Sequence, residues 1–298
     1  MTTRAPAKKA GNKRVTGKEQ YYTPAGLALQ LTEGLAQLIA ESSDSDGATN
    51  PLLHQRTIIE PAGGTGAFIE SAKALGATDF LSFDIEPLHS SVAIGNFLDQ
   101  KLGPVFGAVT LGNPPFGRNN ALTIPFFNHA APHSDYIAFI VPRSWRKWSV
   151  INRLDRNFHL VADQDIQIDY VDAAGVQLMS RKRLNTCFQV WQRREELRPL
   201  YSVEDLGFVT KTTPELADVS LTIFGYNCGR VLTDFARRPN TTQMFLKLND
   251  PRALAALNSV DFSRFFKNTA YTEALSLGEI NYLLNEAITG NPHLVEKG

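Results

Sequence analysis

Asn113-Pro114-Pro115-Phe116 follows the apolar run VFGAVTLG and carries the residue types best suited to chemistry in this chain. The two prolines remove backbone donors and fix φ, which leaves the Pro114 carbonyl and the Asn113 side-chain carbonyl as acceptors facing one place. Phe116 adds a π face beside them. A flat ring with an exocyclic amino group would donate both amino hydrogens to such a pair. Its nitrogen would then move from amide-like planarity toward a lone pair able to attack a methyl group. The same four residues would also serve as a turn that only ends a strand, so the surrounding sequence has to decide.

The elements that must position this tetrapeptide lie upstream. RTIIEPAGGTGAFIESAKALGA sets an apolar strand ahead of a glycine-rich turn and a small-residue helix. Gly63, Gly64 and Gly66 lack Cβ atoms, so the backbone can turn tightly and approach a ligand. Glu60 falls at the carboxyl end of the strand, where open α/β sheets bind ligands. A carboxylate there repels phosphate and suits an amine or a hydroxyl, which argues against dinucleotide pyrophosphate or ATP. The glycine spacing is neither GxGxxG nor a P-loop. DFLSFDIEP then supplies a second strand ending in Asp84, at the spacing that sets an acid beside a ribose; a helix cap is the alternative role. Asn96-Phe97 offers an amide for an adenine edge and a ring for its face, although Phe97 also suits a plain core position.

In order, YYTP (21–24), EPAGGTGAF (60–68), FDIEP (83–87), GNF (95–97), NPPF (113–116) and FIVPRSW (139–145) resemble the motifs of the gamma-type N6-adenine DNA methyltransferases. The resemblance spans roughly residues 20–195 and rests on the set of motifs, not on any one. It implies a Rossmann-like methyltransferase fold, with S-adenosylmethionine as cofactor and no metal. It also implies transfer of a methyl group to the N6 amino group of adenine in double-stranded DNA after base flipping. On this resemblance Thr23 and Pro24 contact the methionine end of the cofactor, and Glu60, Ala62, Gly64 and Gly66 surround that end. Asp84 takes the ribose hydroxyls, while Asn96 and Phe97 take the cofactor adenine. Asn113, Pro114 and Phe116, with Pro115 between them, hold the target adenine. The family commonly has Asp where this chain has Asn96, and it often places a further aromatic on a loop that here reads AGVQLMSRKRLNT (174–186), without a ring. Met179 or Val176 is the apolar substitute available there. The same chemistry would also suit an RNA base or a protein glutamine, and a catalytically silent nucleic-acid-binding subunit is the alternative of a different class.

Composition narrows the setting. The 298 residues are 43% hydrophobic, enough for a sizeable core, and no run approaches the ~18 apolar residues of a membrane span. No signal peptide is expected, since the basic N-terminus leads into no apolar stretch. Cys187 and Cys228 suggest neither a disulfide framework nor a zinc site. A cytoplasmic monomer is expected, with duplex DNA as partner and a separate restriction endonuclease as a further one. Formal charge is zero, but Arg4, Lys8, Lys9, Lys13, Arg14 and Lys18 stand against Glu19 alone in residues 1–20. That segment reads as a disordered basic tail giving salt-sensitive, sequence-independent attraction to nucleic acid.

Thr23-Pro24 reads as the N-cap and first residue of a helix carrying Leu27, Leu31, Leu35 and Leu38 at helical spacing. ESSDSDGATN (41–50) reads as a surface loop. Strands are expected near 56–60, 80–84, 105–112, 136–142, 166–171 and 185–192, alternating with helices. This pattern predicts an α/β doubly wound, mostly parallel sheet for residues 21–198. Residues 199–298 read as a small C-terminal α+β appendage and target-recognition segment, with helices near 251–258 and 277–289. Arg118, Arg143, Arg146, Lys147, Arg181, Lys182 and Arg183 are the candidate phosphate contacts around an extruded base, followed by Arg230, Arg237 and Arg238 in the appendage. His129 and His133 suit solvent-facing or capping roles better than catalysis, and no general base is assigned.

Overall fold

Side chains of the run SDYIAFIVP point alternately to two sides, and each side finds a core. Tyr136, Ala138 and Ile140 join one buried cluster, whereas Ile137, Phe139 and Val141 join another. A strand buried on both faces belongs in the middle of a covered sheet, which is where this one lies. The computed structural model describes residues 22–45, 51–172, 176 and 184–297. The first part of the chain gives α1 (Ala25–Ser45), β1 (Ile58–Glu60), α2 (Ala67–Ala74), β2 (Phe80–Asp84), β3 (Ala93–Ile94), β4 (Ala108–Gly112), α3 (Thr123–Ala130), β5 (Ser134–Pro142), α4 (Trp148–Ile151), β6 (Phe158–Ile166) and β7 (Thr186–Arg193).

The sheet order is β3-β2-β1-β4-β5-β7-β6, with β7 antiparallel to both of its neighbours and the remaining strands parallel to one another. The expected doubly wound, mostly parallel α/β sheet is therefore present. α1 and α2 cover one face through Ala28, Leu31, Leu35, Ile39, Phe68 and Ala72, and α3 covers the other through Ile124, Phe126 and Phe127. Strand order reverses between β1 and β4, so the crevice of a doubly wound sheet opens at their carboxyl ends.

Several boundaries differ from the sequence reading. α1 runs on to Ser45, inside the segment expected to be loop. No strand forms over 166–171: β6 ends at Ile166, and Val171 makes only an isolated antiparallel bridge to Tyr22. β6 is an edge strand with exposed Gln164 and Asp165, so it lacks the apolar run by which a central strand is recognised. Helices do not alternate throughout, because a short 3-10 turn, Phe97–Asp99, stands between β3 and β4 in place of an α-helix.

The rest of the chain adds β8 (Leu200–Val203), β9 (Val209–Lys211), β10 (Val219–Thr222), β11 (Val231–Leu232), β12 (Gln243–Leu248), α5 (Ala253–Ser259), α6 (Ser263–Phe266), α7 (Leu277–Thr289) and β13 (Leu294–Lys297). β11-β10-β12-β9 is an antiparallel sheet with its own buried cluster, which includes Leu221, Leu246, Leu257, Ile280 and Leu284. α7 begins at a Ser276–Glu279 capping box and stops at left-handed Gly290 (φ 79°). Trp148 stacks on Tyr282 at 5.6 Å and Lys147 pairs with Glu279 at 2.8 Å, tying this part to the main sheet. Among the described residues no helix is long and apolar enough to cross a membrane.

Candidate active site

β1, β2 and β4 end at one edge, where a small cleft is lined by Tyr22, Thr23, Glu60, Ala62, Gly63, Gly64, Thr65, Ala67, Phe68 and Asn113. Thr23, Glu60, Ala62, Gly64 and Asn113 were expected there. Gly64 has φ 47°, and a Cβ on it would lie 2.8 Å from the Tyr22 ring, so only glycine allows Tyr22 to lie over the loop. Its N–H donates to Asp84 Oδ2 at 2.8 Å, and Glu86 N–H donates to Asp84 Oδ1 at 2.8 Å. Asp84 thus braces the glycine turn from the next strand. Each of its oxygens accepts one such bond and has geometry for a second.

Glu60 is the electrostatic centre of the cleft. It is 2% exposed, and Oε2 has no hydrogen-bond partner; Ser82 Oγ nearby has none either. Burial pushes the Glu60 carboxyl well above the usual range and the neighbouring Asp84 charge pushes it further, while the Ile69 N–H offsets this only in part. Asp84 is also raised, chiefly by burial. A buried acid with an unpartnered oxygen, next to the partly buried Asp84, favours a cationic ligand group, since an ammonium would supply the missing partner and the missing charge.

Asn113 connects this cleft to the Pro-Pro turn. Its Nδ2 donates to Thr23 Oγ1 at 3.2 Å, which fixes the amide plane from the side of α1. The Thr23 hydroxyl is therefore a support for Asn113, not the helix cap that its position suggested. Thr123 Oγ1 donates to the carbonyls of Pro115 at 2.9 Å and Phe116 at 3.3 Å. The Pro114 carbonyl receives no hydrogen bond among the described residues. Phe116 is half-buried against the α1-side core.

Other expected site residues stand elsewhere. Phe97 is 1% exposed and packed among Phe83, Phe126 and His129, so its ring is core and has no face for an adenine. The Asn96 amide closes the turn after β3, accepting from Leu98 N–H and donating to Asp99. Pro24 starts α1 through its carbonyl and lies outside the cleft lining. Gly66 (φ 78°) shapes the start of α2, and the His89 ring fills the space where its Cβ would be. Exposed Ile85, directly after Asp84 at the end of β2, is an apolar surface that sequence reasoning missed. Tyr22 was missed as well, although it stands inside the YYTP motif.

The expected phosphate clamp is corrected in three places. Arg143 pairs with Asp165 at 2.9 Å, Arg146 with Asp163 and with Asp165 at 2.8 Å, and Lys147 with buried Glu279. Bonding to Asp163 raises the Arg146 pKa, which favours its charged, paired form. Arg118 lies in the turn after Phe116. Arg181, Lys182 and Arg183, Met179 and the tail 1–20 fall outside the described residues. Arg237 donates to the Pro214 and Ala217 carbonyls, which makes it a local strut. Arg230 and Arg238 are exposed. His129 and His133 each contact a backbone carbonyl, at 3.0 Å and 3.1 Å.

No family profile and no curated protein sequence matches the chain. Among solved structures, a Pyrococcus horikoshii protein with a provisional RNA methyltransferase name matches at 17% identity and TM-score 0.44, over 59% of this chain and 87% of its own. Thermoplasma acidophilum protein 1320 matches at 18% identity and TM-score 0.38, over 61% of this chain and 93% of its own. TrmN from Thermus thermophilus matches at 14% identity and TM-score 0.35, over 54% of this chain and 48% of its own.

Proposed function

We propose that the protein transfers a methyl group from S-adenosylmethionine to the N6 amino group of adenine in double-stranded DNA. One observation carries this proposal: buried Glu60, with an unpartnered carboxylate oxygen, and Asn113 of the Pro-Pro turn line the same cleft. The first asks for a cationic ligand and the second for an amino-bearing ring. S-adenosylmethionine supplies an ammonium group and a methyl group made electrophilic by positive sulfur. Glu60 would take the ammonium, and the remaining acceptor geometry of Asp84 suits ribose hydroxyls. Ile85 offers the apolar face once expected of Phe97.

On the target side, Asn113 Oδ1 and the Pro114 carbonyl would accept the two amino hydrogens, which frees the nitrogen lone pair for in-line attack. After transfer the extra proton leaves to water. The target base has to leave the duplex to reach acceptors at the sheet edge. DNA is favoured by the ordered motifs from YYTP to FIVPRSW and by residues 199–298, which supply a separate core beside the site for target recognition. Incubation with labelled S-adenosylmethionine and matched DNA and RNA oligonucleotides tests the proposal: label on duplex DNA adenine supports it, label confined to RNA transfers it to another substrate, and no label on either rejects it.

A further inference from the structure

The turn after Phe116, the end of β5 and the C-terminal part of the chain are joined by a line of hydrogen bonds. Buried Asn120 Nδ2 donates to Ser144 Oγ at 3.1 Å. Next to Ser144, the Arg143 N–H donates to the Asn185 carbonyl at 3.0 Å, and the Asn185 N–H donates to the Ala270 carbonyl at 2.8 Å. The segment beginning at Ala270 is thereby held at the rim that carries Asn113 and Phe116. Tyr271 comes next and is 56% exposed. Gly225 N–H donates to the Glu273 carbonyl at 3.0 Å and Phe224 bridges Ala274, so the turn bearing Phe224 and Tyr226 is laced to the same segment. Phe224 is 48% exposed and Tyr226 is 93% exposed.

Single exposed apolar residues need no explanation, but three aromatic rings on two laced segments at the rim of a site do. Exposed Arg230 and Lys267 lie next to these segments, with Glu273 on one of them and Asp261 beside Lys267. We propose that Phe224, Tyr226 and Tyr271 form a stacking surface for the nucleic-acid strand that carries the target base. Every base has a π face, so such rings bind single-stranded or distorted strand regardless of sequence, and an extruded base leaves its strand distorted. This surface would grip the strand while the Pro-Pro turn holds the base, a division of labour that rests on the nucleic-acid substrate proposed above.

The test is a fluorescence-anisotropy titration of the full-length protein with labelled single-stranded DNA and with a duplex whose target adenine is mispaired, across several salt concentrations. Tyr226→Ala should weaken binding roughly tenfold, and the triple Ala variant at 224, 226 and 271 should weaken it further. Tyr226→Phe should bind like the wild type. Because the rings are uncharged, the slope of log affinity against log salt should stay unchanged while affinity falls. Affinity for S-adenosylmethionine, measured by calorimetry, should hold in every variant and confirms folding; Tyr226, almost fully exposed, is the variant least able to disturb it. Wild-type affinity in the triple variant would overturn the stacking surface and leave the substrate intact. A wild type that binds no nucleic acid would overturn both. Loss of self-association on sedimentation with unchanged DNA binding would assign the rings to a second copy of the chain and overturn the proposal.

Discussion

Glu60 and Asn113 do different work at one cleft, and the difference is measurable. Glu60 has a raised pKa, so the unliganded protein binds its proton more tightly folded than unfolded. Its neutral form therefore stabilises the fold below the usual pKa of 4.5, and that stability is lost as pH rises through the raised folded value. Denaturation of the unliganded protein across this window should show the loss, and Glu60→Gln should remove it. S-adenosylmethionine affinity should rise over the same window, because the ammonium needs the ionised carboxylate. Calorimetry should find Glu60→Gln binding weaker by about 2 kcal/mol, the scale of a hydrogen bond to a charged group. Asn113→Ala should lower kcat by roughly 10²–10³ through the missing acceptor. Since Asn113 also supports Thr23, the variant should bind cofactor modestly less well, within about tenfold, as one lost neutral hydrogen bond implies. Single-turnover kinetics separate the two effects. The residues at strand ends were legible in the sequence, because a strand, a turn and a polar residue at the carboxyl edge form a local pattern. Phe97 was not, because burial depends on α3 and β2, which come together only in the fold.

At the level of elements, charges that look available in sequence are held by β6 and α7. Arg143 and Arg146 read as a basic cluster after β5, and their partners Asp163 and Asp165 come later in the chain on an edge strand whose pattern was itself misplaced. Asp163→Asn with Asp165→Asn should free both guanidinium groups. Duplex affinity should then rise at low salt, and its salt dependence should steepen by nearly one unit for each new phosphate contact. Filter binding at graded salt reads this, and an unchanged slope would leave the arginines as struts. Lys147→Ala should destabilise the protein by about 3 kcal/mol in urea, because it leaves the buried Glu279 carboxylate with only its Ser276 contacts. Adding Glu279→Gln should recover part of that loss.

For the molecule as a whole, the sheet order follows from sequence because buried parallel strands announce themselves as apolar runs between turn signals, as SDYIAFIVP does. The antiparallel part after Pro199 showed only short pieces such as LTIFGYN, whose pairing is set by contacts far apart in the chain. Its hold on the rim through Asn185 and Ala270 had no signal in sequence. The central claim is that this fold methylates adenine N6 in duplex DNA at the Asn113–Phe116 turn. Mass spectrometry of nucleosides from an adenine-containing duplex, after incubation with S-adenosylmethionine and either the wild type or Asn113→Ala, tests it most directly. N6-methyladenosine of the deoxy series formed by the wild type and lost in the variant is the predicted result; unmodified adenine with the wild type, or equal methylation by both proteins, would contradict it.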